Sequence, residues 1–501
     1  MTRALPAQVG PAAPATTAGP ASAAAEGPDP RRWLALVFVA LAQLMIALDA
    51  TIMNVALPSA QHSLHFSDTD RQWVITAYTL AFGGLLLLGG RVSDLVGRTR
   101  TFVIGLTGFA LASAIGGLAP NLTVLTISRA GQGAFAALLA PTVLALIAVT
   151  FTEPAERGKA FAIFGAIVGG GGAVGLILGG VLAESISWRA CLFVNLPIAA
   201  AAAVGVRFLP KVRAGQQTAR LDIVGAVLAC AGLVAIVMGC SRAADHGWTS
   251  GTTLGLLTAG LVLLVVFAGW ESRTDHPLLP LRILRDRNIV GSCITVSFAV
   301  AGMLGLYLFL TYFLQAVLGY SPINAGLAFL PLSAAVLAAA QMTGRVMARL
   351  RPRTLIVPGL LVAAAGMVLL TGLRPDSSYI VGVLPAEILL GLGLGTVFTP
   401  AISLATSRVQ PREAGVVAAV VSTAQQIGAS VGVAVLNTLA ATAVADHLAS
   451  HRPSATEHTV ALVHGYTVAA GWGAAILTAG AVLAALLVTA RRPMDRAAAR
   501  P

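Results

Sequence analysis

Residues Leu41 to Pro58 read LAQLMIALDATIMNVALP, a stretch suited to hydrocarbon apart from one ionisable group, Asp49. An Asp at the centre of a membrane helix costs about 2.5–3.5 kcal/mol on insertion scales, and such residues ordinarily face the protein interior and pair. Asp49 is therefore a functional candidate if the run is a membrane span.

Composition decides that it is. Of 501 residues, 57% are hydrophobic and 10% charged, against about 25% charged in soluble domains. The 53 glycines suit helices that approach closely in lipid. Cys191, Cys230, Cys240 and Cys293 are dispersed without CxxC spacing, which indicates neither a disulfide framework nor a zinc site. No metal or other cofactor is expected. Residues 1–32, rich in Ala, Pro, Gly and Thr, read as a disordered tail rather than a signal peptide.

A membrane helix needs about 20 mainly apolar residues. The sequence offers fourteen such runs: 33–57, 73–92, 101–119, 122–150, 158–183, 191–209, 221–240, 252–270, 289–317, 323–346, 354–373, 379–405, 414–440 and 465–490. An all-α integral membrane protein is predicted, with both termini on one side. With the N-terminus placed in the cytoplasm, 26 of the 32 Lys and Arg fall in cytoplasmic segments, and Arg71, Arg189, Arg242, Arg374 and Arg452 lie outside. That asymmetry predicts cytoplasmic termini. The net charge of +12 is shared among short loops, which points to topology and not to nucleic acid.

GRVSDLVGRTR, Gly90 to Arg100, follows the second run, and a degenerate copy, GRVMARLRPR from Gly344 to Arg353, follows the tenth. Eight spans apart, they fit a duplicated six-helix unit with two helices inserted between the copies. The expected division is a tail at 1–32, a first bundle at 33–209, an insert at 210–288, a second bundle at 289–490 and a cytoplasmic tail at 491–501.

These motifs carry a resemblance. GRVSDLVGRTR looks like the loop-two-three signature of the major facilitator superfamily, and LTISRAGQGAFAA at Leu125 to Ala137 looks like its fourth-span motif. LDATIMNVALP is similar to the first-span motif of its fourteen-span drug:proton antiporters of the EmrB/QacA type, and SWRACLFVNLPI and LQAVLGYSPINAGLAFLP extend the match from about Trp33 to Arg491. The resemblance implies two bundles rocking about a central site and export of a compound in exchange for protons. It also implies a gate at Gly90, Asp94, Gly97 and Arg98. The fifth span, GAIVGGGGAVGLILGG, resembles the antiporter motif in its glycines Gly165, Gly169, Gly175 and Gly179 but lacks the usual prolines, where Gly172 and Leu176 stand.

Depth arithmetic adds to this. Asp49 lies about 12 Å and Arg129 about 11 Å from the outer ends of their spans at a rise of 1.5 Å per residue, so an ion pair or an alternating partnership that couples to protons is expected. Glu387 lies about 12 Å deep in the twelfth span, a second candidate for proton coupling or for recognising a cation. Asp94, at a helix C-terminus where the dipole disfavours anions, needs a cation or a helix N-terminus as partner; Asp222, opening the seventh span, reads as a cap. The face Ala42, Met45, Asp49, Met53 and Ala56 reads more readily as packing than as pocket. Gln43, Met45, Tyr78, Tyr312, Gln315 and Gln425 are the cavity candidates.

Arg outnumbers Lys 30 to 2, the pattern of a GC-rich, actinobacterial-like gene, and similar proteins in antibiotic producers often export the product. The leading expectation is a monomeric, proton-driven exporter of amphipathic compounds in the cell membrane, not an enzyme. The alternatives are a transporter of the same fold for nutrient uptake or lipid export, and a membrane enzyme or receptor without transport.

Overall fold

The computed structural model describes residues 31–66, 68–209, 222–274, 277–347, 349–407, 409, 413–450 and 454–489. The tails, apart from Arg31 and Arg32, lie outside them. The described residues are helical throughout their regular structure and contain no strand. In chain order the helices are α1 (Arg32–Leu64), α2 (Asp68–Val96), α3 (Arg98–Gly117), α4 (Leu122–Thr150) and α5 (Pro154–Ser185). Next come α6 (Ala190–Phe208), α7 (Ile223–His246), α8 (Gly251–Glu271) and α9 (Arg287–Val317). The last five are α10 (Pro322–Ala328, continued by Leu330–Val346), α11 (Arg353–Leu370), α12 (Tyr379–Ser407), α13 (Ala414–Ser450) and α14 (Ala455–Leu487).

Thirteen of these are long and apolar enough to cross a membrane in one piece, and α5 makes a fourteenth crossing as two arms, Ala155–Gly172 and Val174–Ser185, bent by 42°. The bend needs no proline. It falls at the end of the run Gly169–Gly172, where a backbone without Cβ atoms bends readily.

Several helices outrun the predicted spans: α1 continues to Leu64, α2 runs from Asp68 to Val96, α7 continues to His246 and α13 to Ser450, and α14 begins at Ala455. Hydropathy reports hydrocarbon, whereas helical hydrogen bonding continues through polar residues beyond it. The 37 residues of α13 span about 55 Å, against about 30 Å of hydrocarbon. The projecting α13–α14 hairpin is tied by His447 Nε2 and Glu457 Oε1 at 2.8 Å.

Helices α1–α6 pack among themselves, most closely α2 on α4, α1 on α5 and α3 on α4. A second group gathers α9–α14. The pair α7–α8 leans through α7 on α2 and α13. The two groups meet along a seam formed by α2 with α13 and by α5 with α10 and α12. Small residues permit these approaches: a Cβ on Gly133 of α4 would lie 2.3 Å from the Tyr78 carbonyl of α2. The end of the molecule carrying the Arg91–Arg100 turn is called the basic end below, and the opposite one the far end. Asp222 caps α7 as expected, accepting from Gly225 N at 2.8 Å.

Candidate functional site

Asp49, the carboxylate of α1, is 0% exposed. The matched depths do bring it to Arg129 of α4, whose Nη1 donates to Asp49 Oδ2 at 2.6 Å. Gln132, one turn along α4, donates through Nε2 to Asp49 Oδ1 at 2.9 Å, and Asn195 of α6 donates to the same oxygen at 2.8 Å. Ser113 of α3 joins the cage, accepting from Gln132 at 3.0 Å and from Asn195 at 2.9 Å while donating to the Leu192 carbonyl. Every partner of Asp49 is an N–H donor, the arrangement an ionised carboxylate accepts. Arg129 also has a second acceptor, Gln132 Oε1 at 2.9 Å, and its guanidinium lies 4.4 Å from the centroid of the Tyr78 ring. Both replace solvation that burial removed.

At the basic end Asp94 finds both kinds of partner that its position requires. Arg98 donates to Oδ1 at 3.1 Å, and the first amides of α13 reach across the seam, Gly415 N to Oδ1 at 3.2 Å and Val416 N to Oδ2 at 3.0 Å. The carboxylate thus sits on a helix N-terminus, the favourable end of the dipole. Two glycines make this possible. Gly97 caps α3 at φ 100°, and a Cβ on Gly90 would lie 2.6 Å from the Gly415 carbonyl. Glu413, just before α13, pairs with Arg282.

The duplicated loop repeats this crossing. Gly344 of α10 meets Gly158 of α5 across the seam, a Cβ on Gly158 falling 2.7 Å from the Gly344 carbonyl. Ala348, which matches Asp94 in the copy, lies outside the described residues. Beside the crossing, Arg157 of α5 donates to Thr406 Oγ1 of α12 at 2.7 Å and to the Ala148 carbonyl at 3.2 Å.

Of the α5 glycines, Gly175 and Gly179 face α1, where Cβ atoms would meet Thr51 Oγ1 at 2.1 Å and Ile52 Cγ1 at 2.9 Å. Gly165 faces Thr399 of α12 across the seam, and the surroundings of Gly169 lie outside the description. The motif therefore serves two contacts, one inside the first group and one between groups.

The cavity candidates divide. Gln43 and Tyr78 are buried, with Gln43 Oε1 and Tyr78 Oη lacking a hydrogen-bond partner, and Gln425 Nε2 on α13 is likewise unpaired. Met45 is 0% exposed, and Ala42, Met53 and Ala56 are buried on the same face of α1. Tyr312 and Gln315 are exposed, Tyr312 at 53%, at the far end of α9 where the helix relaxes into a π turn over Phe313–Val317. None of the six lines the apolar crevice between α9, α11 and α14 that Leu306, Phe309 and Met367 help to form. Glu387 is 0% exposed and lies 3.1 Å from the hydroxyl of Tyr379.

Gln132 and Asn195 escaped the sequence reading although both stand inside quoted motifs. Their residue types signal polarity in a span, but only the fold shows that both aim at Asp49. Ser113, Arg157 and Tyr379 carried no comparable signal.

Fourteen crossings, twelve of them in two groups that meet along a seam and two leaning on it, with a buried ion pair between α1 and α4 and an Asp94 contact across one end, define a membrane protein of the transporter type. The chain belongs to the Major Facilitator Superfamily, whose family profile matches residues 39–433. It is 52% identical to the puromycin resistance protein pur8 of Streptomyces alboniger, covering 94% of each chain. It is 38% identical to the cephamycin export protein CmcT of Amycolatopsis lactamdurans, covering 83% of this chain and 87% of that one. Among solved structures, the human organic anion transporter MFSD10 (TETRAN) superposes with a TM-score of 0.64 at 15% identity over 91% of this chain and 100% of that one, a likeness of fold.

Proposed function

We propose that this protein exports antibiotic-like amphipathic compounds across the cell membrane in exchange for protons. The observation that carries the reading is the cage around Asp49, a titratable group in the one region of the chain that ordinarily excludes charge. The relatives supply the direction and the cargo, since those named above confer resistance to or export antibiotics.

The basic end is the cytoplasmic one, so both termini are cytoplasmic, and the protein works as a monomer with bundles at 33–209 and 289–490 flanking the insert at 210–288. A proton arriving at Asp49 removes the charge that holds Arg129. Arg129 is not stranded, because Gln132 Oε1 and the Tyr78 ring already receive it. Protonation therefore costs the cage one strong bond while leaving the cation solvated, which makes the two states close enough in energy to exchange. The unpaired polar atoms of Gln43, Tyr78 and Gln425 orient the compound. Asp94 with Arg98, together with the Gly90 and Gly158–Gly344 crossings, closes the cytoplasmic end. Glu387 is a second proton site.

Expression in an efflux-deficient host should raise the inhibitory concentration of puromycin, and a protonophore should abolish the gain. Asp49→Asn, which keeps the shape but cannot titrate, should remove the gain while the protein remains in the membrane. No protection against any of a panel of antibiotics would overturn export. Protection that survives both the protonophore and Asp49→Asn would overturn proton coupling.

A further inference from the structure

Tyr379 opens α12 in a π-helical turn over Tyr379–Val383 and stands half-buried between the far-end surface and Glu387. Its hydroxyl oxygen is 2.7 Å from the Ala328 carbonyl and 3.1 Å from Glu387 Oε2. A phenol has one proton to donate. The Ala328 carbonyl accepts only, so the shorter contact takes that proton. The contact with Glu387 is then a hydrogen bond only if the carboxyl itself carries a proton and donates it to the Tyr379 oxygen. The rest of the pocket agrees. Glu387 Oε1 has no partner, a state tolerable for a neutral carboxyl and costly for a charged one. Among the described residues no Lys, Arg or His pairs with Glu387, and the titratable groups near it are phenols, Tyr379, Tyr307 of α9 and, beyond Tyr379, Tyr320.

The second acceptor in this chain is placed at a joint. Ala328 ends the first piece of α10, and the helix resumes at Leu330 with Pro331 in its first turn. The piece that ends there, Pro322–Ala328, packs against the far-end arm of α5: a Cβ on Gly326 would lie 2.8 Å from Ile177 Cγ1, and one on Gly180 would lie 3.2 Å from Ile323. The neighbouring Phe329 carbonyl accepts from Ser333, whose Cβ would be 3.4 Å from a Cβ on Gly170 across the seam.

We propose that Tyr379 is the coupling residue of a second proton site: its single hydroxyl proton goes to Ala328 when Glu387 is protonated and to Glu387 when that carboxyl is ionised. On ionisation the charged acceptor wins the proton, because hydrogen bonds to ions are the stronger ones. The Ala328 carbonyl then loses its donor, and the short far-end piece of α10 loses its tie to α12. Loss of a proton from Glu387 thereby loosens the far-end closure against α5. This rests on the proton-exchange reading above, and assigns the far-end gate its own titrating group, separate from the Asp49 cage in the other bundle.

The test is hydrogen–deuterium exchange of the full chain in nanodiscs, following protection of the amides of Ile323–Phe329 while pH is raised through the range in which a buried carboxyl ionises. In the unaltered protein, protection corrected for intrinsic rate should fall by about 2- to 10-fold, the change expected for one net hydrogen bond. Glu387→Gln, whose amide donates to Tyr379 at every pH, should hold the protected level. Tyr379→Phe, which cannot serve Ala328, should show the unprotected level throughout. Asp49→Asn should keep the step, so a failure of proton-coupled export and a failure of this switch are read separately. A step that persists in Glu387→Gln, or its absence from the unaltered protein, overturns the proposal.

Discussion

The amide of Val416 donates to Asp94 Oδ2 at 3.0 Å, joining the last turn of α2 to the first turn of α13 across the seam. With Gly415 and Arg98 on the other oxygen, the carboxylate of Asp94 compensates one helix start and one guanidinium at once. Asp94→Asn keeps an acceptor but removes the charge. A carboxylate at a helix N-terminus contributes about 0.3–2 kcal/mol, so the closed basic end should lose roughly 2- to 30-fold in population. Transport in proteoliposomes should fall while affinity for the exported compound in detergent changes little. A large loss of affinity with normal turnover would contradict a gating role.

This latch was legible because a helix C-terminus with an Asp states its own need. So was the Asp49–Arg129 pair, since two residues at equal depth in neighbouring spans of opposite charge have few other partners. Asn195 was not, because α6 is interrupted at Val194 and no periodicity announces which way a residue at such a break points. Tyr379 was hidden for a related reason: a π turn rotates the residues that a regular 3.6-residue period would place elsewhere. Helix ends were not legible from the apolar runs wherever polar helix continues beyond the hydrocarbon, as at His447 and Glu457.

Asn195→Ala should test whether the cage acts as one unit. The change leaves Asp49 Oδ1 with Gln132 as its remaining donor among those described and should cost about 1–3 kcal/mol, the price of an unmade bond to a buried charge. In thermal melts Gln132→Ala and Asn195→Ala together should cost less or more than their sum, since both serve one oxygen. Strict additivity would show that the two amides act independently.

Arg129→Lys should not rescue transport although it keeps the charge. Arg129 reaches Asp49 and Gln132 through one nitrogen and sets its guanidinium over the Tyr78 ring. An ammonium could donate to both acceptors but has no planar face to set over the ring and sits at the end of a shorter, differently shaped side chain. Drug-dependent proton release should fall by about tenfold or more, a loss of at least 1.4 kcal/mol. Near-normal release would mean that Asp49 needs only a nearby positive charge.

Gly158→Ala and Gly344→Ala probe the crossing that mirrors the Asp94 latch. A Cβ on Gly158 would sit 2.7 Å from the Gly344 carbonyl, and one on Gly344 would sit 3.0 Å from the Gly158 carbonyl. Both obstacles are backbone, which no rotamer change relieves, so α5 and α10 must part at the basic end. The expected result is a transporter that stays open on that side: a cysteine placed at the seam near Thr406 should label faster from the side that the basic end faces, and efflux should fall without loss of protein from the membrane. Gly255→Ala supplies the control, because nothing lies within 4 Å of its added methyl, and it should transport normally. If Gly158→Ala behaves like that control, the two helices are not held at this distance in the closed state, and the second half of the gate must be sought in Arg157 and Thr406 instead.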